Sequence, residues 1–101
     1  MDLLSDEEIS AALAGLPDWQ RAGDSITRTV ELKDFRAAML FTGAVAYMAE
    51  KANHHPDIAI AWNKVTLNLS THSAGGLTTN DFALARQISA LSATANAAAA
   101  G

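Results

Sequence analysis

The sequence contains no cysteine. Disulfides, thiolate nucleophiles and thiolate metal sites are thereby excluded, and the composition fits a reducing compartment. Basic residues are scarce. Seven Lys and Arg stand against eleven Asp and Glu, for a formal net charge of −4. No basic run occurs, so a nucleic-acid surface is not expected. Charged residues make up 18 % of the chain while 50 % is hydrophobic, which argues against intrinsic disorder. No apolar run approaches the ~20 residues of a membrane span. The stretch MDLLSDEE lacks the basic start and apolar run of a signal peptide. The expectation is a cytoplasmic protein that does not meet a membrane. The 101 residues suffice for one domain with one modest, alanine-rich core. Such a small domain is expected to gain stability by self-association.

What is present reads as an alternation of helices and strands. Ser5 to Gly15 predicts a short helix, with Ser5 and Glu8 as a capping box and Ile9, Leu13 and Leu16 at helical spacing. Gly15 and Pro17 end it. Trp19 to Arg21 is a short strand candidate before the turn Gly23-Asp24. Ile26 to Leu32 alternates, with Ile26, Val30 and Leu32 on one side and Arg28 as the odd member of that apolar face. Asp34 caps a longer helix to about Ala52, whose expected apolar stripe is Phe35, Met39, Val45, Ala46 and Ala49. Pro56 pushes His55 out of the helical region, so that helix stops near Asn53-His54. From Asp57 to Leu69 the period falls to two. Gly75-Gly76 breaks the chain, and Thr78 opens a last helix with Asp81 at its capping-box position. The order helix, two strands, helix, two strands, helix predicts an α+β domain: an antiparallel sheet with helices on one face. It is expected to span residues 1–94, with an alanine-rich tail over 95–101.

The chemistry-bearing residues sit at one end of the second strand pair. All three histidines of the chain are His54, His55 and His72. If Asn63 and Lys64 form a two-residue turn, Trp62 faces Val65, Ile60 faces Leu67 and Ile58 faces Leu69, all on one apolar face. The opposite face carries Ala59, Ala61, Thr66, Asn68 and Ser70, small or polar enough to floor a pocket. Carried on, this register sets Asp57 opposite Ser70, Pro56 opposite Thr71 and His55 opposite His72. Cross-strand Cβ atoms lie roughly 5 Å apart, so the imidazoles converge. Histidine gives and takes protons near neutrality, and several at one mouth suit an elimination of water.

Plainer readings stand beside this one. A lone histidine in a small domain is commonly structural or solvated. Three histidines with Asp57 or Glu50 could form a metal site, but no H-x-x-x-H pair is present. Trp62 and Phe82 read as core or pocket wall. Trp19 reads as core, with stacking on a flat ligand as the alternative, and Asp81 reads as a helix cap.

The run from Glu50 to His72, EKANHHPDIAIAWNKVTLNLSTH, resembles the signature of the pterin-4a-carbinolamine dehydratases. The matching residues are Glu50, His54, His55, Pro56, Trp62, His72 and Asp81. The stretches Asp34 to Ala38 and Gly75 to Thr78 match as well, and the resemblance reaches from the first helix to about Leu91. It implies a four-stranded antiparallel sheet with three helices on one face. It implies a hydro-lyase that removes water from a 4a-hydroxytetrahydropterin, giving the quinonoid dihydropterin and recycling the cofactor of an aromatic amino-acid hydroxylase. The pterin is then the substrate, and no metal or organic cofactor is implied. His54 and His72 look like the proton-transfer pair around the 4a-hydroxyl and N5. His55 looks like a binding residue that shares in catalysis. Asn53, Ser70, Thr71 and Ser73 match substrate-contacting positions, and Glu50 a positioning one. A homodimer or homotetramer is implied. The competing reading is a non-catalytic pterin-binding or transcription-factor-dimerising scaffold, as in some relatives, and the third is a metal-dependent hydrolase.

Overall fold

The computed structural model describes residues 2–100, with side chains to residue 93. Three helices and four strands follow in the order α1 (Asp6–Ala14), β1 (Gln20–Ala22), β2 (Ser25–Glu31), α2 (Phe35–Ala52), β3 (Asp57–Ala61), β4 (Lys64–Leu69) and α3 (Thr79–Ala100). One turn of 3-10 helix, His72–Ala74, separates β4 from α3. The strands form one antiparallel sheet in the order β1-β2-β4-β3. No helix among the described residues is long and apolar enough to cross a membrane. The expected tail over 95–101 lies, in its side chains, outside the described residues.

Alternation decides which sheet face is covered. Ile26 and Val30 of β2 and Val65, Leu67 and Leu69 of β4 are buried, as are Ile9 of α1, Phe41, Val45 and Ala49 of α2, and Phe82, Leu84, Ala85 and Ile88 of α3. Arg28 breaks the pattern as expected. Its guanidinium escapes the apolar face by reaching Ser89 Oγ at 3.2 Å and Asp18 Oδ2 at 3.5 Å. Trp19 is core: its indole N–H donates to the same Ser89 Oγ at 3.0 Å, which satisfies its one polar atom. At α1 the capping box forms, with Ser5 N–H donating to Glu8 Oε1 at 2.9 Å and Glu8 N–H to Ser5 Oγ at 3.1 Å. The Ser5 backbone N–H, followed by its hydroxyl, holds the Glu8 carboxyl below its ordinary range.

Three expectations are corrected. First, the buried face of α2 is rotated from the expected stripe, sharing only Val45 and Ala49 with it. Ala38, Phe41, Val45 and Ala49 are buried, whereas Phe35, Met39 and Ala46 are exposed. The helix carries two apolar stripes, and sequence periodicity does not say which one meets the sheet. Second, the β3–β4 register differs by two residues. Ile60 pairs with Val65, Ile58 with Leu67 and Ala61 with Lys64, so the turn residues are Trp62 and Asn63. Asn63 is buried and pinned from outside the hairpin. Its Nδ2 donates to Leu32 O at 2.9 Å, and its own carbonyl accepts from Leu32 N–H at 2.8 Å. That anchor draws the turn back by one residue and leaves Trp62 in the left-handed region at φ 54. Third, Trp62 is therefore not core; it is 69 % exposed. A shift of two preserves parity, so the two faces of the hairpin stand as expected.

Candidate active site

The site assembles where α2 ends and β4 runs out. Asn53 closes α2 in the left-handed conformation, at φ 50 and ψ 43, which Asn tolerates. The His54 N–H returns to Ala49 O at 3.0 Å. The histidine doublet thus begins immediately after the helix cap, and Pro56 keeps His55 extended before β3.

On the other side, residues 71–76 fold into a tight loop around Thr71. The Thr71 carbonyl accepts from the N–H of Ala74 and of Gly75, each at 3.0 Å, and its N–H donates to Gly76 O at 2.8 Å. Gly75 sits at φ 80, a region where a side chain is strained. This loop sets His72 on the wall of a hollow of about 340 Å³, together with Asp24, Ser25, Asn68, Ser70 and Gly75. The volume falls at the lower end of the range for small-molecule sites.

Bonded to Thr71 of this loop is a buried carboxylate. Asp81 has no exposed surface, and its two oxygens do different work. Oδ2 accepts from the Thr78 N–H at 2.8 Å, the expected helix-cap bond, and from the Thr71 hydroxyl at 2.8 Å. Oδ1 lies 2.6 Å from His54 Nε2. Only 11 % of the His54 side chain is exposed. The capping-box reading of Asp81 was therefore correct for one oxygen and silent on the other.

The sequence-predicted residues separate into distinct places. His72 and Ser70 line the hollow. The Ser70 hydroxyl donates to Asp24 O at 2.9 Å, tying the hollow to the β1–β2 turn. His54 is part of the buried cluster with Asp81. His55 stands outside it with its Nε2 at 2.5 Å from Glu50 Oε2, and both side chains are largely exposed. Asn53 and Ser73 are exposed. Thr71 is buried, and its hydroxyl, N–H and carbonyl are all spent inside the protein. The observed register, carried past Asp57 and Asn68, sets His55 opposite Ser70 and His54 opposite Thr71. This replaces the expected pairing of His55 with His72.

Asp24, Ser25 and Gly75 were missed as lining residues. A signal for Ser25 existed: pairing β2 with β4 brings the start of β2 beside Ser70, and Ile26 pairs with Leu69. Asn68 was placed on the correct face. Its Oδ1 is buried without a hydrogen-bond partner in the protein, which is uncommon. Among the described residues, no group of three or more His, Cys, Asp or Glu side chains is arranged to hold a metal ion. The arrangement offers one imidazole facing a polar hollow and a second one held by a buried carboxylate.

The family model described as "Pterin 4 alpha carbinolamine dehydratase" matches residues 2–91. A protein of Nocardia farcinica is 59 % identical over 90 residues, covering 89 % of this chain and 95 % of that protein. One from Thermomicrobium roseum is 50 % identical over 91 residues, covering 90 % and 98 %. Both carry the name "Putative pterin-4-alpha-carbinolamine dehydratase". A crystal structure from Brucella melitensis, described as a transcriptional coactivator/pterin dehydratase, superposes with a TM-score of 0.85 at 38 % identity, covering 88 % of this chain and 97 % of that one. A pterin dehydratase-like protein described as a RuBisCO assembly factor of the alpha-carboxysome shares the fold, with a TM-score of 0.60 at 20 % identity over 73 % of this chain and 86 % of that one.

Proposed function

Because this chain belongs to the pterin-4a-carbinolamine dehydratase family, we propose that it eliminates water from a 4a-hydroxytetrahydropterin by histidine general acid/base catalysis. The C4a–O bond breaks and the oxygen leaves as water after receiving a proton. The N5 proton passes to a base, and the electron pair released forms the N5=C4a bond of the quinonoid dihydropterin. One donor and one acceptor of protons are needed, and His54 and His72 fill these roles. His55, paired with Glu50 at the rim, orients the ring. The pterin is the substrate, and neither a metal nor an organic cofactor takes part. The product is the form that a reductase returns to an aromatic amino-acid hydroxylase.

The observation that carries this reading is the pairing of His54 with buried Asp81, which Thr71 links to the loop that sets His72 in a polar hollow. A general acid or base of this kind contributes about 10²–10⁴-fold. The test follows decay of the 4a-hydroxy adduct formed in situ by a hydroxylase. Faster decay with the purified protein is expected, and a rate equal to buffer alone would reject the proposal.

The exposed stripe of α2 supports assembly. Phe35, Met39, Leu40 and Tyr47 are large, apolar and open to solvent, Leu40 at 70 % and Tyr47 at 65 %. A contiguous patch of this type marks an interaction surface. We assign it to self-association as a homodimer or homotetramer. Light scattering should give a mass above the monomer, and Leu40→Glu with Tyr47→Glu should lower it. A monomeric wild-type protein would leave the stripe for a different protein. A stoichiometric partner together with a silent adduct-decay assay would then favour the scaffold reading.

A further inference from the structure

The hydrogen bonds behind His54 determine which ring nitrogen is free to work. The Asn80 N–H donates to Thr78 Oγ1 at 3.3 Å. Thr78 Oγ1 lies 2.8 Å from Thr71 Oγ1, and the Thr71 hydroxyl donates to Asp81 Oδ2 at 2.8 Å. A hydroxyl has a single proton. Thr71 gives its proton to Asp81, so the bond between the two threonines must use the proton of Thr78. The chain therefore runs in one direction, from Asn80 N–H through Thr78 and Thr71 to Oδ2. Together with the Thr78 N–H, it supplies Oδ2 with two donors and leaves no place there for a carboxyl proton. The remaining oxygen, Oδ1, faces His54 Nε2. With two donors already on Oδ2, the carboxylate acts as an acceptor at Oδ1 too, and the proton between Oδ1 and Nε2 belongs to the nitrogen.

We infer that Asp81, clamped by the Thr78–Thr71 hydroxyl chain, holds neutral His54 as its Nε2–H tautomer, leaves Nδ1 as the nitrogen that gains and loses protons, and makes Thr71 a positioning residue. Nε2 keeps its proton whether the ring is neutral or charged. The identity of one nitrogen in a ring is commonly set by the bond that the other makes. Thr71 was expected to touch the substrate. Its hydroxyl is taken up by Asp81 and Thr78 and acts through Asp81 and His54. The catalytic consequence rests on the proposed dehydration; the tautomer does not.

The two parts are measured separately. Nitrogen-15 spectra of histidine-labelled protein, with His54 identified by the signal lost in His54→Gln, should show Nε2 protonated and Nδ1 unprotonated in the neutral ring. Thr71→Val removes the hydroxyl at nearly constant volume. It should give a mixture of tautomers and a kcat lower by about 10-fold with KM within twofold, while Thr71→Ser restores both. A wild-type spectrum with Nδ1 protonated would overturn the assignment. So would a Thr71→Val protein with unchanged tautomer and unchanged kcat. Should Thr71→Val fail to fold, the wild-type and Thr71→Ser spectra still decide. A wild-type protein with no dehydratase activity but the Nε2–H tautomer would refute the proposed function and leave the tautomer assignment standing.

Discussion

Replacing His54 or His72 by alanine should lower kcat for decay of the 4a-hydroxy adduct by about 10²–10⁴-fold each, the usual worth of a positioned acid or base. The two losses should not add. Once one proton transfer is missing, the other has little left to accelerate, and residues that act as a unit are strongly non-additive. His55→Ala should act differently. Its ring is exposed and pairs with an exposed carboxylate, an arrangement worth at most about 1 kcal/mol. A rise in KM exceeding the fall in kcat is the expected result. Steady-state kinetics of the three variants and the double variant decide the matter. An unchanged rate in both His54→Ala and His72→Ala would remove the acid/base assignment altogether.

The second large effect is on folding. Asp81→Ala should cost about 3–5 kcal/mol, since each buried donor left without its acceptor costs about 1–3 kcal/mol. Asp81 is wholly buried and accepts from the Thr78 N–H, the Thr71 hydroxyl and His54. Its loss strands those groups away from water and removes the cap of α3. A small domain has roughly 5–15 kcal/mol in all, so the variant should be partly unfolded near body temperature. Asp57→Asn, on the exposed edge strand β3, should stay within about 0.5 kcal/mol. Urea unfolding of both variants separates the cases. Equal midpoints for Asp81→Ala and the wild type would show that the buried cluster does not support the fold.

Much of this architecture was legible in the residues. Period-two alternation in β2, β3 and β4 is a local property, because each Cβ must point to the face opposite its neighbour's. The caps at Ser5, Asp34 and Thr78 were likewise legible, since a cap is chemistry within three residues. The histidine doublet before Pro56, the third histidine, and the face bearing Ser70 and Asn68 needed only these rules and the resemblance they carried.

What escaped was everything fixed at long range. The Asn63–Lys64 turn was a sound local reading, yet Leu32, thirty-one residues away, holds Asn63 on both sides and moves the turn to Trp62. The buried stripe of α2 could not be told from the exposed one, because both have helical spacing. The second oxygen of Asp81 meets His54 across twenty-seven residues, a distance over which no periodicity reports. The sequence by itself thus determined element order, strand faces and the stock of proton-carrying groups, all set by stereochemistry between near neighbours. Only the tertiary structure decided which histidine receives the carboxylate, where the turn falls and which helix face is left open. Those outcomes depend on satisfying buried polar groups and filling one shared core, conditions that only the assembled chain imposes.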